Sequence, residues 1–329
     1  MTRENGPLTP SVSRANIRIS LFSVSSVGVF TGHQNGSQRS HTGLKGSLRG
    51  IFSDVQCYGA FASYPNQVWP GGGNMSISAE SIALDAKRIT SWTGQFNRAF
   101  IGYHDIINAS GKKKMSSESS AENIRRLLEK PRDLPTFIYV SGHTDSSGGE
   151  RFYLPSDCVV NGSYDSSRVI PYSEFRDKLL LEHHQEPIIL VTDFCNCNNI
   201  MELPYVYSYE NGKVICATTE YYTGADWDSV DAVQFAATSP DQLGGFLFAW
   251  LHIQPRALHN VPLDKKLSLE KTVEHIQVRM DELLAPESKL YPSQNHRVYA
   301  SRKFDGNDFF GALGFYFRPP PASHADNQQ

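Results

Sequence analysis

The sequence predicts an α/β fold, a single three-layer α/β/α sandwich around a mainly parallel central sheet. Two observations predict it. The apolar, β-branched runs Phe137–Val140 and Pro187–Val191 are short and uninterrupted, the pattern of strands buried on both faces. From about residue 50 to residue 315, strand-like and helix-like segments alternate, which is the order of a parallel sheet joined by crossover helices.

The elements follow in order. Residues 1–48 are rich in Ser, Gly, Asn and Thr, lack helical periodicity and read as a disordered N-terminal arm. Within it, residues 17–30 alternate apolar and polar, so they lack the unbroken apolar core of a secretory leader. A first strand is expected within Ile51–Ala62, a helix across Ala79–Phe96 and a strand across Ala99–Ile107. Ser119-x-x-Glu122 reads as a capping box for a helix with Ile124, Leu127 and Leu128 on one face and Pro131 as its stop. The strand leading into Ser141-Gly142-His143 comes next, then Asp145–Glu150 as a flexible loop. A helix across Tyr172–His184 turns Phe175, Leu179 and Leu180 inward, and the strand leading into Asp193-Phe194-Cys195 follows. Lys213–Thr219 and Ala232–Thr238 read as further strands and Gly245–His252 as a helix. Leu269, Val273, Ile276 and Met280 mark the apolar face of another helix, and Arg297–Phe304 reads as a final edge strand. Residues 319–329 form a polar, disordered tail.

Composition bounds the function. The chain has 329 residues, 31 basic against 34 acidic, so it carries no basic footprint and nucleic acid is not an expected partner. No apolar run reaches the ~18–20 residues of a spanning helix, so no membrane association is expected. Five cysteines, at 57, 158, 195, 197 and 216, are an odd number without framework spacing, which points to free thiols in a reducing, cytoplasmic setting.

Side chains just past the carboxyl ends of parallel strands line the crevice where α/β proteins bind ligands. His143 and Cys195 both stand there, and a thiol beside an imidazole forms a nucleophile–base dyad. Backbone N–H groups at Thr144 and Cys195 are the candidate oxyanion donors, Gly142 letting the turn approach closely. Other readings stay open. Cys197 is the nucleophile in a shifted register, and Cys195-x-Cys197 with His183 or His184 is a candidate zinc set. Asp145–Glu150 lacks the Gly-Lys-Ser/Thr ending of a phosphate loop and is expected to shape access to the site.

These motifs, in this order, resemble the caspase-like cysteine proteases and, within them, the metacaspases. Tyr139-Val140-Ser141-Gly142-His143-Thr144 is similar to the family's Tyr-Ser-Gly-His-Gly segment. Asp193-Phe194-Cys195-Asn196-Cys197-Asn198, running on to Leu203-Pro204-Tyr205, is similar to Asp-Ser-Cys-His-Ser-Gly with its downstream Asp-Leu-Pro-Tyr. Thr238-Ser239-Pro240-Asp241-Gln242 is similar to Cys-Lys-Asp-Asp-Gln. From 143 to 195 is 52 residues, near the ~50 of caspases.

The resemblance implies a caspase-like sandwich over residues 49–318, with a large-subunit part of about 49–205 and a small-subunit part of about 206–318. It implies a cysteine endopeptidase with Cys195 as nucleophile and His143 as base, acting on protein or peptide substrates in regulated proteolysis or programmed cell death. It implies a cation-selective pocket with Asp193 at its floor, Asp241 near it and Asp85 as a third acid, hence cleavage after Arg or Lys. No cofactor is required; Glu202 stands where the family has a calcium-binding Asp, so the resemblance makes calcium a candidate activator. Lys213, in a polar turn between the two parts, is a candidate self-cleavage point.

Thr144 stands where the family has Gly, and Asn196, Cys197 and Asn198 where it has His, Ser and Gly. These departures motivate a second reading, a catalytically weak or inactive pseudo-protease acting as an interaction or regulatory module. A third, hydrolysis of non-peptide amides or esters, uses the same dyad.

Overall fold

The computed structural model describes residues 55–317, apart from 65–66, 76, 78, 97–100, 105–118, 182–185, 226, 228–229, 241–252 and 286–293. The strands are β1 Gln56–Phe61, β2 Ile101–His104, β3 Thr136–Ser141, β4 His143–Ser147, β5 Glu150–Leu154, β6 Val159–Val160, β7 Ser163–Tyr164, β8 Ile170–Pro171, β9 Ile188–Asp193, β10 Tyr205–Glu210, β11 Lys213–Thr218, β12 Ala232–Ala236 and β13 Arg297–Ala300. The helices are α1 Ala79–Thr93, α2 Ala121–Leu128, α3 Tyr172–Arg176, α4 Ile253–His259, α5 Leu269–Leu284 and α6 Phe309–Ala312, α3 continuing as a π-helical turn over Asp177–Leu181.

Eight strands form the central sheet in the order β11-β10-β13-β12-β9-β3-β1-β2. The pairs from β12 to β2 are parallel, and those from β12 to β11 antiparallel. The core strands read as the sequence dictates: every residue of β3 and β12 is buried, and in β9 only Asp193, at the end, is part-exposed. Helices cover both faces. α1, α4 and α5 pack together on one, where Trp92 meets Phe137 at 5.4 Å between ring centroids. α2 and α3 share the other, joined by Arg125 and Glu174 at 2.7 and 3.0 Å. That division follows from chain direction: β1 to β2 and β2 to β3 run opposite ways along the sheet, and right-handed crossovers then fall on opposite faces.

Several expectations are corrected. Ser120 caps α2, accepting from the Asn123 N–H, while Ser119 is buried and donates to the Phe61 carbonyl; hydroxyls one residue apart compete for the same cap. Asp145–Glu150 is not a loose loop but the turn of the β4–β5 hairpin, closed by Gly148 and Gly149 at positive φ. β13 is not an edge strand; it sits between β10 and β12. β10, unforeseen, pairs with β11 through an Asn211-Gly212 turn, with both residues at positive φ, and places the exposed Lys213 beside that turn. The expected helix at Gly245–His252 lies outside the described residues. Among the described residues no helix is long and apolar enough to cross a membrane.

His296 lies fully buried between β12 and α5, its ring near Phe235 and neither ring nitrogen hydrogen-bonded. Burial, with Arg297 adding to it, lowers its pKa from 6.5 to about 3, and burial lowers that of His143 to about 4. Folded pKa values below the unfolded one mean that the unfolded chain binds protons the folded chain refuses. Stability is therefore full above pH 6.5 and falls as pH drops towards 3–4, by up to ~1.4 kcal/mol per pH unit for each histidine. Urea midpoints of parent and His296→Leu at neutral pH and at pH 5 check this; the variant is expected to lose less on acidification, and parallel losses would contradict the assignment.

Candidate active site

The site is set by one rung of the sheet. β3 and β9 run in parallel register with Ser141 opposite Asp193, and the Gly142 N–H reaches the Asp193 carbonyl at 3.4 Å. His143 and Cys195 each stand two residues beyond that rung. Thr144 ties the two strand ends together, its hydroxyl donating to the Cys195 carbonyl at 2.8 Å.

Gly142 makes the turn possible. Its φ is +152°, and a Cβ there would lie 2.5 Å from the Tyr64 hydroxyl and 2.9 Å from that of Tyr153. Neither hydroxyl is free to move away. Tyr64 donates to the Leu154 carbonyl at 2.5 Å and accepts from the His143 N–H at 2.8 Å, and Tyr153 donates to the Ser141 carbonyl at 2.8 Å.

The His143 ring is boxed. Tyr64 stacks on it at 4.4 Å between centroids and Trp69 lies over it at 5.0 Å. Nε2 is 2.8 Å from the Met75 carbonyl. A carbonyl only accepts, so Nε2 carries the proton of the neutral ring and Nδ1 is the basic nitrogen. Burial lowers the pKa to about 4 despite the bond to Met75, so the ring is neutral near pH 7.

The sequence Asn196-Cys197-Asn198, foreign to the resembled pattern, has structural work here. Asn196 adopts a left-handed conformation, φ 52°, which Asn tolerates well. Cys197 is fully buried and its thiol donates to the Phe194 carbonyl at 2.7 Å. Burial pushes that thiol up to about 11, against the shifted-register reading. Asn198 Oδ1 accepts from Arg151 at 2.5 Å. Gln234 of β12 closes the turn, donating to the Asn198 carbonyl at 2.7 Å and accepting from the Ile200 N–H at 2.9 Å. The other cysteines, Cys57, Cys158 and Cys216, are likewise held as thiols by burial.

The expected acids fall differently. Asp193 accepts from the Tyr139 hydroxyl at 2.6 Å. Asp85 is fully buried in α1 and pairs with Arg88 at 2.9 Å. Both acids bear on the same phenol: burial first, then Asp193 and Asp85, drive Tyr139 well above its ordinary pKa. Asp241 lies outside the described residues, as do His183 and His184. Among the described residues no three His, Cys, Asp or Glu gather to hold a metal.

Glu202 ion-pairs with Arg176, whose guanidinium also bonds Asp177 at 3.0 and 3.1 Å. Ca²⁺ takes six to eight oxygens, and the Glu202 carboxylate is already paired with an arginine. A cavity of about 350 Å³ borders this turn, its walls including Arg151, Tyr172, Asn198, Glu202, Tyr221 and Tyr299. Motif spacing passes over Tyr64, Trp69, Met75, Arg151 and Tyr172; only the aromatic-then-glycine run Trp69-Pro70-Gly71-Gly72-Gly73 hints at a structured approach to the site.

The sequence matches no protein-family model, and no curated protein matches it. Among solved structures it is similar to the Drosophila initiator caspase Dronc, with TM-score 0.42 and 12% identity over 88% of this chain and 98% of that one. A Geobacter sulfurreducens protein matches with TM-score 0.42 and 12% identity, over 78% of this chain and 95% of that one. Caspase-1 from Spodoptera frugiperda matches with TM-score 0.37 and 8% identity, over 80% and 92%. Likeness at this level says nothing of activity.

Gly142→Ala is expected to destabilise the fold by ~1–3 kcal/mol or more through overpacking and a strained φ, read as a lowered urea midpoint. An unchanged midpoint would contradict the clash described at this turn.

Proposed function

We propose that the chain is a cysteine endopeptidase that cleaves peptide bonds after Arg or Lys. The observation that carries the reading is the shared rung: His143 and Cys195 leave paired positions of adjacent parallel strands, with the imidazole oriented by Met75 so that Nδ1 is the base. In the proposed reaction the Cys195 thiol proton passes to Nδ1 as sulfur bonds the substrate carbonyl carbon. The C–N bond then breaks as the leaving amine takes that proton. Water, deprotonated by the same nitrogen, hydrolyses the thioester. Backbone N–H groups of Thr144 and Cys195 serve the oxyanion in this reading. Asp193 and Asp85, grouped about Tyr139, support a preference for a cationic side chain, and Asp241 is retained as a proposed member of that pocket.

One observation favours the second reading, a silent scaffold: Cys195 is 6% exposed, His143 1%, and Thr144 is bonded across them. Hydrolysis of fluorogenic peptides ending in Arg, Lys or Asp by the purified full chain separates the two. Turnover after Arg and Lys, lost by ~10³-fold or more in Cys195→Ala and retained in Cys197→Ala, is expected. No turnover by folded protein would leave the scaffold.

Asp193→Asn is expected to lower kcat/KM for Arg substrates by ~100-fold or more. An unchanged Arg preference would remove Asp193 from the pocket. Rates with millimolar Ca²⁺ and with a chelator are expected to be equal, because Arg176 already neutralises Glu202; a rise with Ca²⁺ would overturn that.

A further inference from the structure

One hairpin supplies two of the groups that meet the His143 ring. Val68 and Asn74 bridge, and between them Trp69-Pro70-Gly71-Gly72-Gly73 turns tightly. The Trp69 N–H donates to the Gly73 carbonyl at 3.0 Å, and the Gly72 N–H to the Trp69 carbonyl at 2.8 Å. Gly72 and Gly73 take φ of +85° and +99°, which a side chain would strain. Met75 follows directly, its N–H on the Gln67 carbonyl at 3.2 Å. The hairpin thereby sets the Trp69 ring 5.0 Å from the imidazole, centroid to centroid, and the Met75 carbonyl 2.8 Å from Nε2. Tyr64, just before it in sequence, stacks on the same imidazole at 4.4 Å and 21°.

The proposed reaction makes that imidazole a cation. Once the thiol proton is on Nδ1, both ring nitrogens carry protons, until the leaving amine takes one. The ring is 1% exposed, so water does not solvate the charge, and burial disfavours it. Among the described residues, the titratable and charged groups on the elements around it are Tyr64, Tyr153 and Arg151 of β5, Asp193 and Cys195 at the end of β9, and Asp145 on β4 itself. Asp193 accepts from Tyr139 and Asp145 from Tyr164, each at 2.6 Å, while Arg151 bonds Asn198. The two aromatic rings, by contrast, bear on the imidazole itself. An aromatic π system within ~6 Å attracts a cation through its quadrupole, Trp most strongly, and that attraction requires the charge.

We propose that Trp69 and Tyr64 are positioning residues that hold His143 in its imidazolium form, their π electrons attracting the charge that arises as Cys195 is acylated. The attraction is weak towards the neutral ring and strong towards the protonated one, so it lowers the barrier without tightening substrate binding. The inference rests on the endopeptidase reading above, in which His143 is the base.

Trp69 is only half-buried, so it can be varied without opening the core, and the test compares Trp69→Phe with Trp69→Leu in the full chain. Phe keeps a π system; Leu is apolar without one. The pKa of His143 is read in each by NMR titration of its ring protons, and kcat and KM with a peptide ending in Arg. Expected is a His143 pKa in Trp69→Leu ~0.5–1 below that in Trp69→Phe, with kcat lower by ~3–10-fold and KM within about twofold. The sign decides. A ring that merely excluded water would, when replaced by Leu, let the pKa rise, so a pKa in Trp69→Leu equal to or above that in Trp69→Phe would overturn the proposal. Equal kcat in the two variants of an active parent would overturn it as well. A folded parent without turnover, whose variants keep the expected order of pKa, would overturn the endopeptidase reading while upholding the hold of Trp69 on the charged ring.

Discussion

The parallel register between β3 and β9 is the constraint from which the rest of the site follows. Pairing Ser141 with Asp193 makes the next residues of both strands leave the sheet side by side. A slip of one residue would turn His143 or Cys195 to the opposite face, because side chains alternate along a strand. The register is held by burial on both faces: Phe137 and Tyr139 point towards α1, Ile138 and Val140 away from it, and all are at most 1% exposed. Hydrophobic patterning far below the crevice thus decides which residues leave the two strand ends side by side.

Above the sheet, polar bonds replace hydrophobic packing. Tyr64 makes three contacts with two strands: its ring stacks on the imidazole, its hydroxyl takes the His143 N–H, and it donates to β5. The post-cysteine turn shows the same economy, with Asn196 setting the backbone hand, Asn198 receiving Arg151, and Cys197 anchored on Phe194. The residues that depart from the resembled pattern therefore form a consistent alternative turn.

Much of this was legible in the sequence. The apolar runs located β3 and β9, and α5 was readable from Leu269, Val273, Ile276 and Met280, all buried. Elements whose character comes from pairing were not legible: β4 carries polar residues such as Asp145 and Ser146 and is made a strand by its hairpin partner, and β10 was passed over although it pairs on both sides, with β11 and β13. Position in the sheet was equally hidden, since β13 reads as an edge by being last in sequence but is inserted between β10 and β12. In the site, motif spacing located His143 and Cys195 because their chemistry is carried by residue type. It missed Met75, which acts through a backbone carbonyl any residue possesses, and it carried no sign that Asp85 is buried and paired with Arg88.

Gln234 and Thr238 give the site an order of assembly. His143 and Cys195 lie in the first 195 residues, yet the turn between Cys195 and Leu203 is fastened by β12 and the segment just after it, through Gln234 to Asn198 and Ile200 and through Thr238 to the Cys197 N–H. A chain emerging from the ribosome presents thiol and imidazole well before it presents those fasteners. The turn that carries Cys195 therefore closes only once β12 has docked beside β9, so a later part of the chain completes the geometry of an earlier one.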